Sequence, residues 1–296
     1  MISKKYLFSA ILGLGIFALA IYCRDELLNA LYGVQIPWVA AGFVCLLLNY
    51  CFRAMRLNVL TGNKLPVWPQ GFYCTSMHGF ANYMLPLRSG DLSLPLLLKS
   101  IIDMDLKIGA TVLYKARLLE VFILGMWLVV ASLYPSANLP APVRVVMMVS
   151  GILMILSPGL LRKLFDLSLI PPGKLKRAAQ ILSRTSTLNS REILLTCGIW
   201  TSIAMGIWCI TAAIQLNISV MNIVFLIALQ MVMQLAPVQG FANTGNHEGG
   251  WVAALVLMNV PAESALKFAL SSHVIVLMYV LTIGLMALFL RHAFIR

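Results

Sequence analysis

The chain has 296 residues, of which 60% are hydrophobic and 11% charged, with a formal net charge of +12. A polytopic α-helical membrane protein has this composition, since each span needs about 20 largely apolar residues. A soluble enzyme, a nucleic-acid-binding module and a secreted domain are excluded, and the basic excess is assigned to cytoplasmic loops.

In chain order, Lys4 and Lys5 precede an apolar run, Tyr6–Cys23, that resembles a signal peptide with a cleavage-like Ala18-Leu19-Ala20. It is read as an uncleaved first span, because the architecture developed below needs one. Arg24–Gln35 sets one Arg against Asp25 and Glu26 and reads as outside. The second span, Ile36–Phe52, is expected to end at Arg53 and Arg56, with Lys64 beyond them, on the inside.

Gly71–Ser100 is unlike an ordinary span. Two short apolar arms flank Leu85-Pro86-Leu87-Arg88-Ser89-Gly90-Asp91, with Thr75, Ser76, His78 and Asn82 in the first arm. A re-entrant hairpin over 71–100, entered from the cytoplasmic side, accounts for it best. Lys107–Tyr134 is the third span, carrying Lys115, Arg117 and Glu120; Pro135–Pro142 is uncharged and reads as outside. Val143–Leu161 is the fourth span. The stretch Arg162–Arg191, with its many Arg and Lys against Asp166, is the strongest inside signal. Ile193–Leu216 is the fifth span and Ser264–Leu290 the sixth.

Between them, Ser219–Val260 holds the densest cluster of breakers and polar groups. Pro237–Gly250 combines Pro237, Gly240, Gly245, Gly249 and Gly250 with Gln239, Asn243, Asn246, His247 and Glu248. An extramembrane loop would explain it, but the similar first segment favours a second hairpin over 219–260, entered from outside. Span, span, hairpin, span thus occurs twice, the second copy starting from the opposite face. The expected fold is all-α, with six full spans and two oppositely oriented re-entrant hairpins in an inverted-topology repeat. The halves are 1–134 and 142–296, joined by the outside loop 135–141. No residue-by-residue similarity between them stands out.

Charges inside spans face cavities or one another. Arg117 and Glu120, three apart, share a helical face and can pair. Arg53 and Arg56 also share a face and repel unless an anion lies between them; snorkelling to lipid phosphates is the alternative. Arg88 offers a rigid fork of donors suited to phosphate or carboxylate, with Asp91 beside it as counter-ion. His247 and Glu248 are candidates for proton handling or for a pair bracing the hairpin. His78 reads as a packing residue. The six cysteines (Cys23, Cys45, Cys51, Cys74, Cys197, Cys209) are scattered without ligand spacing, so neither disulfide nor metal is expected, and no cofactor.

Taken together, Arg53-x-x-Arg56, Asn82-x-x-Leu85-Pro86-x-Arg88-x-Gly90-Asp91, Arg117-Leu-Leu-Glu120 and Pro237…Gly245-x-x-Glu248 resemble the lysylphosphatidylglycerol synthase transmembrane (flippase-like) family. The pattern departs from the family in two places: a longer, amide-rich interval after Pro237, and Glu120 where Asp is usual. The resemblance implies a protein of the bacterial cytoplasmic (inner) membrane, both termini cytoplasmic, that moves an anionic phospholipid or polyprenyl-phosphate lipid. It is not expected to be an enzyme, and synthase activity is not carried over, because no soluble transferase domain is seen here. On this reading Arg53, Arg56, Asn82, Arg88 and Arg117 bind the headgroup. Asp91, Glu120, His247 and Glu248 balance charge or carry protons, and Pro86, Gly90, Pro237, Gly240 and Gly245 break the hairpins. The alternatives are a membrane-embedded lipid-modifying enzyme and an accessory subunit of a membrane glycosyltransferase.

The proposed topology is open to direct test. Single cysteines at Asn138 and Asn217, in a cysteine-free background, are expected to react with an impermeant thiol reagent added outside. Labelling only after the membrane is opened would overturn the inverted arrangement.

Overall fold

The computed structural model describes residues 32–133, 141–166, 185–235 and 240–294, with the single residues 176, 180, 181 and 183. Among the described residues the chain is all-helical. The α-helices are α1 (Ile36–Leu60), α2 (Phe72–Met84), α3 (Ser93–Ile102), α4 (Leu106–Leu133), α5 (Ala141–Asp166), α6 (Ser190–Ala213), α7 (Val220–Leu235), α8 (Asn246–Leu257) and α9 (Ala262–Phe294). Five of them, α1, α4, α5, α6 and α9, are long and apolar enough to cross a membrane. They coincide with the second to sixth expected spans; the first, Tyr6–Cys23, and the breaker Pro237 lie outside the described residues.

Local chemistry sets the helix ends. At the start of α6, Asn189 Oδ1 accepts from Arg191 N at 3.0 Å and Glu192 Oε2 accepts from Asn189 N at 3.2 Å, satisfying two otherwise orphaned donors. The boundary of α1 needs correction. It does not stop at Phe52 but runs to Leu60, and the left-handed Gly62 and Asn63 then turn the chain. Arg53 and Arg56 therefore lie within the helix, and Arg56 is buried. Their charges are met inside the bundle rather than at lipid headgroups.

Small residues let the spans approach closely, as expected where lipid offers no hydrophobic drive for association. Helices α1 and α6 cross antiparallel, with Gln35 N on Ala213 O at one end and Arg56 beside Thr196 at the other. At the crossing, a Cβ built on Gly42 would face Cys209 and one on Gly206 would face Cys45, both at 3.5 Å. Helices α4 and α5 touch through Gly125 and Gly151, where a Cβ on either would lie 2.8 Å from the other's carbonyl oxygen. Large apolar side chains such as Leu153, Leu285 and Phe289 remain exposed, a surface suited to lipid rather than water.

Two helical hairpins complete the fold. The arms of the first, α2 and α3, have 13 and 10 residues. Those of the second, α7 and α8, have 16 and 12. At 1.5 Å per residue none of these spans the roughly 30 Å hydrocarbon core alone.

The turns correspond residue for residue in a way the sequence does not announce. Leu87 and Arg88 in the first turn, and Ala242 and Asn243 in the second, are consecutive left-handed residues. Such residues cost on the order of 1–3 kcal/mol each and persist only where the surroundings enforce them. Ser89 Oγ donates to Pro86 O at 2.8 Å; Thr244 Oγ1 donates to Phe241 O at 2.8 Å. A glycine follows each: Gly90, buried against the backbone of Ala81 and Asn82, and Gly245, at φ +78°. The two turns touch each other.

Glycines at the two hairpins should respond oppositely to alanine. A Cβ on Gly90 would lie 2.5 Å from backbone atoms of Ala81 and Asn82, so Gly90→Ala should force α2 and α3 apart, at a cost of about 1–3 kcal/mol. Gly249 lies within α8 with open space around its Cα, so Gly249→Ala should stabilise by up to about 1 kcal/mol. Thermal unfolding in detergent measures both, and equal effects would contradict this packing.

Candidate functional site

The interior polar groups centre on Glu120. Its Oε1 accepts from Arg56 Nη2 at 2.8 Å and lies 3.6 Å from Arg53 Nη1, so the anion required between the two arginines of α1 comes from α4. Its Oε2 accepts from Arg117 Nη1 at 2.6 Å, the expected i, i+3 pair. Arg117 reaches onward through Nη2 to Asp91 Oδ1 in the first hairpin turn. Asp91 is thus the partner of Arg117, not of Arg88 as its sequence position suggests.

Amides extend the network. Asn82 Nδ2 donates to Asp91 Oδ1 at 3.0 Å and approaches His78 Nε2 at 3.1 Å. An amide nitrogen only donates, so His78 Nε2 accepts and Nδ1 carries the hydrogen, which faces Ser93 Oγ at 3.0 Å. His78 is therefore a satisfied structural residue, as expected. Arg53 Nε donates to Asn49 Oδ1 at 2.8 Å, and Asn49 Nδ2 donates to Ile199 O at 3.0 Å, tying α1 to α6. Lys115, two residues before Arg117 on α4, pairs separately with Glu192 at 2.6 Å.

Arg88 differs from its neighbours. It is half-buried and makes no hydrogen bond or ion pair among the described residues. Arg117 Nε is buried and likewise without an acceptor among them. Both residues line a cavity of about 290 Å³ between the hairpin turns and the crossing of α1 with α6. That volume is close to the lower end of the usual range for small-molecule sites, roughly 300–1,000 Å³. A smaller pocket of about 30 Å³, lined by Arg53, Arg56, His78, Arg117 and Glu120, lies beside it. The cluster sets four guanidiniums (Arg53, Arg56, Arg88, Arg117) against two carboxylates (Asp91, Glu120), leaving positive charge in excess.

The far wall comes from the second half: Gln230, Asn243, His247 and Trp251. The indole N–H of Trp251 is buried with no acceptor among the described residues. His247 and Glu248 do not pair with each other. His247 Nε2 lies 3.0 Å from Ser272 Oγ, whereas Glu248 Oε1 meets Nδ1 of His273 on α9. Of the expected breakers, Gly240 closes the second turn, its N on Thr244 O at 3.1 Å, and Pro86 opens the first.

Sequence reading brings Arg53, Arg56, Asn82, Arg88, Asp91, Arg117 and Glu120 to one place, with His247 across the cavity. It misses His273, Asn49 and Trp251. The Ser271-Ser272-His273 triplet, polar inside an otherwise apolar span, is the signal that marks His273.

A family model described as the lysylphosphatidylglycerol synthase TM region matches residues 10–284. No curated protein and no solved structure matches the chain.

The network predicts a contrast in stability. Glu120→Ala would remove the carboxylate shared by three guanidiniums and leave buried Arg56 without an ion pair among the described residues, at a cost of about 3–5 kcal/mol. Arg88→Ala breaks no hydrogen bond or ion pair among the described residues and should stay within about 0.5 kcal/mol of wild type. A comparable loss of melting temperature in both would mean that the protein itself braces Arg88.

Proposed function

The chain belongs to the lysylphosphatidylglycerol synthase transmembrane family, and on that premise we propose that it moves an anionic lipid across the membrane in which it is embedded. The observation that carries this reading is the surplus of guanidinium groups on a headgroup-sized cavity, with Arg88 and Arg117 Nε holding donors no described residue accepts. A guanidinium presents donors in a planar fork that matches a phosphate oxygen pair. Arg88 and Arg117 bind the headgroup phosphate, with Arg53 and Asn82 at its edge. Arg56 and Glu120 hold those groups in place.

The two halves, 1–134 and 142–296, form an inverted-topology repeat in this proposal, and the hairpins are re-entrant from opposite faces. The matching hairpin turns and the antiparallel crossing of α1 with its counterpart α6 support it. In such repeats the substrate site lies where the halves meet, near the midplane. The cavity lies between the two turns, and acyl or isoprenoid tails stay in the surrounding lipid. Movement across the inner membrane, of a phospholipid or a polyprenyl phosphate, fits this chemistry. A lipid-modifying activity would need His247 and Glu248 to act together, and their side chains engage different partners.

Purified protein in liposomes, with a fluorescent phosphatidylglycerol or polyprenyl phosphate in one leaflet, tests the proposal. Movement should depend on the protein and fall at least about tenfold in Arg88→Ala, since a hydrogen bond to a charged group contributes about 1.5–3 kcal/mol. Unchanged movement in folded Arg88→Ala would remove Arg88 from the site, and no movement of either lipid would refute the transport reading.

A further inference from the structure

The hairpin turns correspond, and each sends a carboxylate to a basic side chain on the span that follows it. In the first half Asp91 meets Arg117 on α4; in the second Glu248 meets His273 on α9. The spacing from turn to partner is nearly the same, yet the partners differ in kind. Arginine is charged at every accessible pH, whereas histidine changes charge near neutrality.

The hydrogen-bond partners of His273 restrict where its protons can be. Nε2 lies 2.8 Å from the carbonyl oxygen of Ala242, which can only accept, so Nε2 carries a hydrogen. Nδ1 meets Oε1 of Glu248. If the ring is neutral, Nδ1 bears a lone pair and the carboxyl must hold the proton. If the ring is an imidazolium, Nδ1–H donates to a carboxylate. Either way the contact contains one proton. Take it away, and a carboxylate lone pair confronts an imidazole lone pair.

Two contacts would then come under strain together, because His273 also holds the second hairpin turn through Ala242 O. Glu248 Oε2 accepts from Gly245 N at 2.8 Å, so the carboxylate itself is anchored to the turn. Among the described residues the other ionisable groups facing the pair are His247 from α8, its ring centroid 4.7 Å from that of His273, and Tyr83 from α2, at 6.1 Å. Among the described residues no arginine or lysine forms an ion pair with Glu248. Both His247 and Tyr83 line the cavity.

We propose that Glu248 and His273 form a single-proton site that couples lipid movement to proton movement, the proton closing the second hairpin onto α9 and its loss releasing it. The first hairpin is held instead by Asp91 and Arg117, whose guanidinium does not give up its proton. Loss of the proton frees the start of α8, which carries His247 and Trp251, and so alters the cavity wall. The proposal rests on the transport reading above and adds its energy source.

Liposomes with a fluorescent phosphatidylglycerol or polyprenyl phosphate, the membrane potential clamped at zero, provide the test. With one proton moved per lipid, a gradient of about one pH unit should drive the leaflet ratio up to about tenfold from its value at equal pH. Glu248→Gln should stay folded and bind lipid, but a pH gradient should no longer shift the ratio. Wild-type movement that ignores the gradient, or a gradient response intact in folded Glu248→Gln, overturns the coupling and leaves transport standing. The wild-type arm needs no variant, so misfolding of Glu248→Gln does not remove the test. If no lipid moves, the transport reading fails, and infrared difference spectra judge the proton site. A carboxyl or imidazole band titrating between about pH 5 and 9 and lost in Glu248→Gln or His273→Gln supports it; a flat titration overturns it.

Discussion

One carboxylate makes the interior of this protein possible. Taking a guanidinium out of water costs several kcal/mol unless it is paired and hydrogen-bonded, and Glu120 meets three of them. Because Arg53 and Arg56 come from α1 while Arg117 and Glu120 come from α4, the network fixes the spacing of these two spans. Through Arg117 it also reaches Asp91, and so seats the first hairpin turn on α4. That turn in its closed form requires Leu87 and Arg88 to be left-handed, with Arg88 on the cavity wall. The position of Arg88, which makes no ion pair among the described residues, thus follows from that of the paired cations.

Much of the architecture was readable from the chain, for a physical reason. Lipid requires every backbone group to be satisfied within the segment, so length and hydropathy mark the spans and clustered breakers mark the exceptions. The end of α1 was misplaced because two arginines look like a membrane boundary; only the position of Glu120, 64 residues beyond Arg56, shows that they are interior. Asp91 was assigned to Arg88 by adjacency, and its partner lies 26 residues away. His247 and Glu248, neighbours in sequence, point to different residues of α9 because successive side chains on a helix diverge. The likeness of the two turns shows in the sequence as proline, glycine and carboxylate in the same order, but its register does not, because that resides in backbone conformation and in Ser89 and Thr244, which share a hydroxyl and little else.

The halves preserve geometry and vary chemistry. In both, a left-handed pair, a hydroxyl bonded three residues back, and a glycine bring a carboxylate to the next span. The first half builds this contact from a carboxylate and a guanidinium, and joins it to a network of three arginines. The second uses a carboxylate and an imidazole, flanked by another imidazole and a phenol. Equivalent positions with unequal chemistry are what a device needs if one side is to hold still while the other moves.

The surplus of positive charge argues further about what the cavity accepts. Four guanidiniums against two carboxylates cannot be balanced by the described residues, and a low-dielectric surround strengthens the imbalance. Water relieves part of it while the cavity is open; a phosphate relieves more, since its oxygens accept from several N–H groups at once. A headgroup carrying its own ammonium would restore the surplus that its phosphate had cancelled. The rest of the wall, with Asn49, Asn82, Asn243 and Trp251, offers neutral donors and acceptors rather than a second set of acids. With room for about 290 Å³, the cavity on the proposed transport reading takes the headgroup and leaves the tails in lipid. On that reading selection falls on the charge and polarity of the headgroup, and the length of the chain behind it is left to the bilayer.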